Sequence, residues 1–306
     1  MTHATIQNLG AGSRDALRIA MRLGVEMHEI CVRHFPDGEQ LVTTGPAAPA
    51  TIIYAPLDRP NEKLVTILFA AEALRRNGAQ RLVLVAPYMC YMRQDAAFHQ
   101  GEAISQLAVG RLLAGIFDRI VTASPHLHRV RTFGNVFPDI EAHNLSAIPA
   151  IAETLQSSAV DPATIIFGPD EESRQWVEDL GKRLGLAFST AKKLRHSDRS
   201  VEITIADPDL ITGRPILLLD DIVSSGSTMI ACANRLISAG AKRIDAITMH
   251  ALFPQELLKV FSANGICSFR STHSVPHPTN AITLDDLFVD ALRKEVENST
   301  AAETAK

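Results

Sequence analysis

An apolar run ends in two adjacent acids, and small hydroxyl residues follow them: Ile216-Leu217-Leu218-Leu219-Asp220-Asp221-Ile222-Val223-Ser224-Ser225-Gly226-Ser227-Thr228. The run reads as a strand over Pro215–Leu219, and a helix is expected over Thr228–Ala239. The loop between them therefore lies at the carboxyl end of a parallel strand, where open α/β sheets bind ligands. Ser224, Ser225, Gly226 and Ser227 are small enough for backbone N–H groups to close around an anion. The helix opening at Thr228 adds its free N–H groups and dipole. A phosphate repels carboxylates, whereas vicinal sugar hydroxyls donate to them. Asp220 and Asp221 therefore suit a ribose diol or a hydrated Mg²⁺, and the whole loop suits a ribose phosphate. The bland alternative is a serine-rich turn that only caps a helix.

Four further clusters carry candidate chemistry. Lys193-Leu194-Arg195 alternates, so on a strand both cations share one face and could stabilise charge developing on a transferred phosphoryl group. Arg93-Gln94-Asp95 follows the apolar run Arg81–Ala86. His126-Leu127-His128 follows Arg119–Ala123, and Asp170 follows Thr164–Phe167. Two histidines two residues apart suggest zinc, but no third ligand stands at a suitable spacing. Phe35-Pro36-Asp37-Gly38-Glu39 reads by itself as a hairpin turn.

The elements that position these residues alternate. Helices are expected from Ser13 to Gly24, from Asn61 to Arg76, over Glu171–Leu184 and over Gln255–Ala263, and strands over Thr51–Leu57, Arg81–Ala86, Thr164–Phe167 and Arg243–Thr248. Strands separated by helical patterns imply βαβ units and parallel sheets. At an offset of 162 positions, Leu57, Asp58, Gly78, Ala79 and Arg81 recur as Leu219, Asp220, Gly240, Ala241 and Arg243, which suggests a duplicated α/β domain. The expected division is 1–147, 148–297 and a frayed tail 298–306.

The chain has 306 residues, 46% of them hydrophobic and 21% charged, enough for a core that needs no staple. A net charge of -4 leaves no broad basic footprint for nucleic acid. Cys31, Cys90, Cys232 and Cys267 form no metal-binding pair and read as buried reduced thiols. No apolar stretch reaches the ~18–20 residues of a membrane span, so a cytoplasmic protein is expected.

The Asp220–Thr228 segment resembles the phosphoribosyl-diphosphate loop of the phosphoribosyltransferase fold, and the rest of the chain is similar to the ribose-phosphate pyrophosphokinase family over nearly its whole length. The resemblance implies two tandem phosphoribosyltransferase-like domains, each a mostly parallel sheet flanked by helices. It implies transfer of the β,γ-diphosphate of Mg²⁺–ATP to C1 of ribose 5-phosphate, in a homo-oligomer that shares its ATP site between subunits. Phe35, Asp37, Gly38 and Glu39 match the family loop that reaches a neighbour's ATP. Arg93, Gln94 and Asp95 match its Tyr-x-Arg-Gln-Asp segment, which binds ATP and opens a mobile lid over 96–101. Lys193 and Arg195 match its Lys-x-Arg catalytic pair. His128 and Asp170 match residues beside the metal. Asp220, Asp221, Ser224, Ser225, Gly226, Ser227 and Thr228 match the ribose 5-phosphate site.

Some positions depart from the family pattern. His126 and His143 stand where the family has Asp, and Glu172-Ser173 where it has Gly-Gly. Ser224 replaces the commoner Asp, as in archaeal-type members, and Ser227 replaces a Gly. These departures motivate an alternative: a catalytically weak or inactive synthetase-associated protein. A phosphoribosyltransferase is a third reading, but it leaves the Phe35, Arg93 and Lys193 segments without a role.

Overall fold

The computed structural model describes residues 3–301 except 11, 128, 131, 198, 199 and 206; the side chains of 193–203 and 298–301 also lie outside that description. Contacts divide the chain into two units. The first runs to Leu145 and takes in Ser274–Pro276 and everything from Leu284 onward. The second comprises Ser146–His273 and His277–Thr283.

In the first unit the order is β1 (Ala4–Asn8), α1 (Ser13–Leu23), β2 (Glu26–Glu29), β3 (Cys31–His34), β4 (Gln40–Thr43), β5 (Ala50–Tyr54), α2 (Pro60–Arg76), β6 (Arg81–Ala86), α3 (Ser105–Ala114), β7 (Arg119–Ala123) and β8 (Glu141–Leu145). Six of these strands form one parallel sheet ordered β2-β1-β5-β6-β7-β8. β5 and β7 are buried along their whole length, as central strands of a sheet covered on both faces are. β3 and β4 form a separate antiparallel hairpin.

The second unit contains α4 (Ile148–Ser157), β9 (Ile165–Gly168), α5 (Arg174–Leu184), β10 (Ala187–Thr190), β11 (Lys192–Ser197), β12 (Ser200–Thr204), the single turn α6 (Pro208–Ile211), β13 (Pro215–Val223), α7 (Ser227–Ser238), β14 (Arg243–Ala251), α8 (Leu257–Ala263), β15 (Ile266–Thr272) and β16 (Asn280–Ile282). Its sheet, ordered β10-β9-β13-β14-β15-β16, is again all parallel. The two orders correspond strand for strand. Each unit also inserts an antiparallel hairpin, β3–β4 or β11–β12, between its second and third sheet strands. The duplication read from five residues thus extends to the whole topology. Gly78 (φ 106°) and Gly240 (φ 83°) recur because each takes the left-handed conformation just past a helix.

Several local details differ from the sequence reading. β13 does not stop at Leu219 but continues through both aspartates to Val223. Ser13 and Asn61 lie inside their helices; Gly12 and Arg59 hold the N-cap positions, and neither helix start has a side-chain cap. Glu171–Ser173 is a 3₁₀ turn leading into α5. All four cysteines are free, but only Cys90 and Cys232 are buried; Cys31 and Cys267 are exposed. Among the described residues no helix is long and apolar enough to cross a membrane.

A final helix, α9 (Asp285–Ala301), belongs with the first unit, packing on α1, β1 and β5, whereas the sequence-level division placed it in the second. The helix backbone continues four residues into the stretch expected to fray, and 302–306 lie outside the described residues. Phe288 meets Tyr54 edge-on at 6.3 Å. Arg18 holds Asp285, with Nη2 3.2 Å from Oδ1. Deeper in, Glu295 is 5% exposed. It accepts from Arg81 Nε at 2.6 Å and from Arg119 Nη1 at 2.8 Å, and Arg119 also donates to the carbonyl of Ala291 at 3.0 Å. Burial alone would raise the Glu295 carboxyl, but the two guanidinium groups outweigh it and hold it below its ordinary value. A depressed carboxylate contributes stability above its unfolded pKa and loses it as pH falls through the folded value. Glu295→Gln is therefore expected to cost about 3 kcal/mol at neutral pH. In urea titrations the gap to wild type should close as pH falls below about 4.

Candidate active site

The second unit assembles its site where the strand order turns. β9 has β10 on one side and β13 on the other, so the chain leaves β9 in one direction, returns on its far side, and opens a crevice at the carboxyl ends of β9 and β13. Phe167 pairs with Leu218, and Asp170 and Asp220–Asp221 follow within three residues on the two strands. Asp220 retains partial solvent access. Burial, then Asp221, then Asp170, push its carboxyl well above the usual range. The crevice thus presents crowded carboxylates, which favour a cation or hydroxyl donors.

The two adjacent aspartates are not equivalent. Asp221 is 4% exposed; its Oδ1 accepts from Ile222 N at 2.7 Å, its carbonyl accepts from Thr248 Oγ1 at 3.2 Å, and its N–H donates to Asp220 Oδ1 at 3.0 Å. Asp220 is the more accessible of the pair. Asp170 caps the 3₁₀ turn, accepting from Glu172 N at 3.1 Å. Among the described residues no three His, Cys, Asp or Glu side chains are arranged to hold a metal ion. These oxygen donors nevertheless fit Mg²⁺, which typically takes one or two carboxylates and completes its shell with water and substrate phosphate.

The loop after Asp221 rests on aromatic rings. Gly226 is buried at φ 73°, and a Cβ there would lie 2.6 Å from the Phe261 ring. Phe261 stacks on Phe269 with centroids 4.9 Å apart and meets Phe253 edge-on at 5.1 Å. His277 packs on Phe253 at 4.5 Å, with Nε2 3.0 Å from the Phe253 carbonyl. Burial lowers the His277 pKa, so at neutral pH the ring is neutral and that contact is a donated N–H. No side chain caps α7, which starts at Ser227, one residue earlier than expected. Its first-turn N–H groups and the exposed Ser225 and Ser227 line the loop, with their hydroxyls 3.0 Å apart. Lys193 and Arg195 stand two apart on β11, opposite Ile203 and Val201; their side chains lie outside the described residues.

The first unit carries the other predicted residues in two places. Phe35–Glu39 is the tip of the β3–β4 hairpin, closed by Phe35 N to Glu39 O at 2.8 Å and Gly38 N to Phe35 O at 3.0 Å, with Asp37 Oδ1 accepting from Glu39 N at 3.1 Å. The whole tip is exposed, and Arg33 lies 5.0 Å over the Phe35 ring. The strand ends beside the tip are tied to α2 through Thr66 Oγ1 to Gln40 at 2.8 Å and through the His34–Glu62 pair. Arg93 and Gln94 are exposed in the loop after β6, where Gln94 Oε1 accepts from Ser105 Oγ at 2.6 Å. Asp95 differs from its expected role: its side chain is 1% exposed and occupied by Arg129. His128 lies outside the described residues.

Sequence reasoning missed Arg129, Thr248 and the Phe253–Phe261 support. None stands in a motif, and only Arg129, beside the paired histidines, lay near a signal. It also missed the contrast between the repeats. Asp58, the counterpart of Asp220, is neutralised by Lys63 at 2.6 Å, whereas Asp220 faces further carboxylates. Because Gly226 combines a left-handed backbone with ring contact, Gly226→Ala should lower stability by about 1–3 kcal/mol. Urea titration beside wild type reads that loss.

Known proteins place these features. A model of the N-terminal domain of ribose phosphate pyrophosphokinase matches residues 6–116, and a phosphoribosyl transferase domain model matches 140–261. The ribose-phosphate pyrophosphokinase of Methanopyrus kandleri is 30% identical, with 89% of this chain and 93% of the relative covered. That of Thermococcus kodakarensis is 31% identical, over 90% of this chain and 96% of the relative. The crystal structure of phosphoribosylpyrophosphate synthetase from Mycobacterium smegmatis superposes with a TM-score of 0.81 at 22% identity, covering 96% of this chain and 99% of that one, and so shares the fold. Identity across nearly the full length of these relatives, two matched domain models in order and the doubled sheet topology together show that the chain belongs to the ribose-phosphate pyrophosphokinase family.

Proposed function

We propose that the protein transfers the β,γ-diphosphate of Mg²⁺–ATP to the C1 hydroxyl of ribose 5-phosphate, giving 5-phosphoribosyl 1-diphosphate and AMP. The observation that carries this reading is the crevice at β9 and β13, where crowded carboxylates stand beside an uncapped helix start. One end of that crevice suits hydroxyl donors or a cation, and the other suits a phosphate. Ribose 5-phosphate sets its diol on Asp220, with Asp221 fixing that side chain through its backbone N–H, and its phosphate on Ser224–Thr228. Arg93 and Gln94 hold ATP. The family resemblance would give Asp170 and His128 to Mg²⁺, which would supply charge neutralisation on the phosphates.

The C1 oxygen attacks the β-phosphorus in line. A new C1–O–P bond forms, the bond from the β-phosphorus to the oxygen bridging it to the α-phosphorus breaks, AMP leaves with that oxygen, and the hydroxyl proton passes to solvent. Among the described residues no side chain stands out as a base, so positioning and charge stabilisation by Lys193 and Arg195 carry the rate. The test is AMP release from Mg²⁺–ATP and ribose 5-phosphate, with Lys193→Ala beside wild type. The expected result is turnover in wild type and a loss of about 10²–10³-fold in the variant. A silent wild type that still binds ATP would favour the synthetase-associated reading.

A homodimer is the smallest assembly we propose. A two-stranded hairpin is marginal alone, yet β3–β4 extends outside the main sheet with Phe35 exposed at its tip. Leu41 on the same hairpin and Val65, Leu68 and Phe69 on one face of α2 are exposed apolar residues, as expected of a surface that meets another copy. Phe35→Ala should raise KM for ATP by about tenfold or more while sedimentation still reports the oligomer. A monomeric wild type with full activity would overturn the shared site.

A further inference from the structure

Asp95 is spent inside the fold, and the residue that occupies it assigns a role to Arg129. Arg129 follows β7, whereas Asp95 follows β6, the neighbouring parallel strand. The backbone N–H of Arg129 donates to Asp95 Oδ2 at 3.0 Å, and its Nη1 donates to Oδ1 at 2.7 Å. One residue thereby takes both oxygens of a carboxylate that is 1% exposed. The guanidinium plane also lies 5.2 Å over the ring of Phe98, in the turn after Asp95. Glu102 fixes that turn, its Oε2 accepting from Phe98 N at 2.8 Å and His99 N at 3.2 Å.

The same segment is gripped from α3. Gln106, 1% exposed, donates its Nε2 to Met92 O at 3.2 Å and its N–H to Gln94 O at 3.2 Å. Residues 92 and 94 are thus held by Gln106 and residue 95 by Arg129, and Arg93 stands exposed between them. A flexible loop would have to order itself around a triphosphate at an entropic cost. A loop already fixed on both sides of Arg93 avoids most of it.

We propose that Arg129 is a positioning residue for nucleotide binding. It locks the loop after β6 to the loop after β7, so that Arg93 and Gln94 meet ATP as one preformed surface. Asp95 is its partner rather than an ATP ligand, and Phe98 is the cover that shields the pair. Arginine is needed because a planar guanidinium can stack on a ring while its edge holds a carboxylate, which an ammonium cannot do. The inference rests on the reading that this unit binds ATP.

The experiment uses the full chain as wild type, Arg129→Ala, Arg129→Lys, Asp95→Asn and the Asp95→Asn/Arg129→Ala double variant. Three quantities are read: amide hydrogen exchange of peptides across 92–102 without ligand, ATP affinity by equilibrium dialysis, and both KM values with kcat. Expected are faster exchange across 92–102 in both alanine and asparagine variants, and ATP binding about tenfold weaker or more. KM for ribose 5-phosphate should stay near wild type, Arg129→Lys should fall between, and the double variant should be no worse than the poorer single one. Unchanged exchange and ATP affinity in Arg129→Ala would overturn the proposal. So would equal losses toward both substrates together with a lower melting temperature, the mark of a merely structural role. Exchange and dialysis need no turnover, so a wild type that makes no AMP would sink the diphosphokinase reading alone and leave these two to decide the role of Arg129.

Discussion

A parallel strand covered on both faces can offer chemistry only where it ends. β13 illustrates the constraint: Ile216 and Leu218 are buried in a core shared with α7 and α8, Leu217 and Leu219 are buried as well, and the next residue, Asp220, is the first with partial solvent access. Its charge is placed against that of Asp170 at the adjacent strand end, where like charges are costly. The folded chain accepts this crowding and surrounds it with rigid support, with Thr248 fixing the backbone beneath Asp221 and Phe261 filling the space under Gly226. Unfavourable electrostatics on a stiff frame is what a ligand-ready site looks like before its cation or hydroxyl donors arrive.

The same frame was used twice and its chemistry diverged. Both units share a strand order, a glycine past the equivalent helix and a hairpin inserted at the equivalent point. In the first unit Lys63 satisfies Asp58 and the strand end is electrostatically closed. In the second, burial and the carboxylates of Asp221 and Asp170 push Asp220 the other way. The repeated arginine diverged as well: Arg81 reaches across to Glu295 on α9, whereas Arg243 holds Asp245 on its own strand.

The sequence was most legible where one physical signal acted alone. Unbroken apolar runs marked β5, β6 and β13, positive-φ positions marked Gly78 and Gly240, and the loop from Asp220 to Thr228 announced its anion and diol preferences through residue type. Polar edge strands were not legible: β2 is Glu-Met-His-Glu and β8 is Glu-Ala-His-Asn-Leu, and their conformation comes from pairing with a neighbour rather than from propensity. Side-chain allegiance was equally hidden. Nothing local distinguishes a carboxylate facing ligand from one held by an arginine 34 residues away, as Asp95 is. Nor does anything local distinguish the buried Asp221 from the accessible Asp220 beside it.

α9 has a consequence for how the protein is made. It completes the first unit by covering Tyr54 and by placing Glu295 between Arg81 and Arg119, yet it is synthesised after the second unit. Because α9 follows Thr283 in the chain, the ribosome delivers the whole second unit while the first still lacks this helix. Domains generally fold in the order of their synthesis, and incomplete cores left waiting are prone to aggregate. Here vectorial synthesis favours the second unit finishing first, so the unit made earlier is the one sealed later.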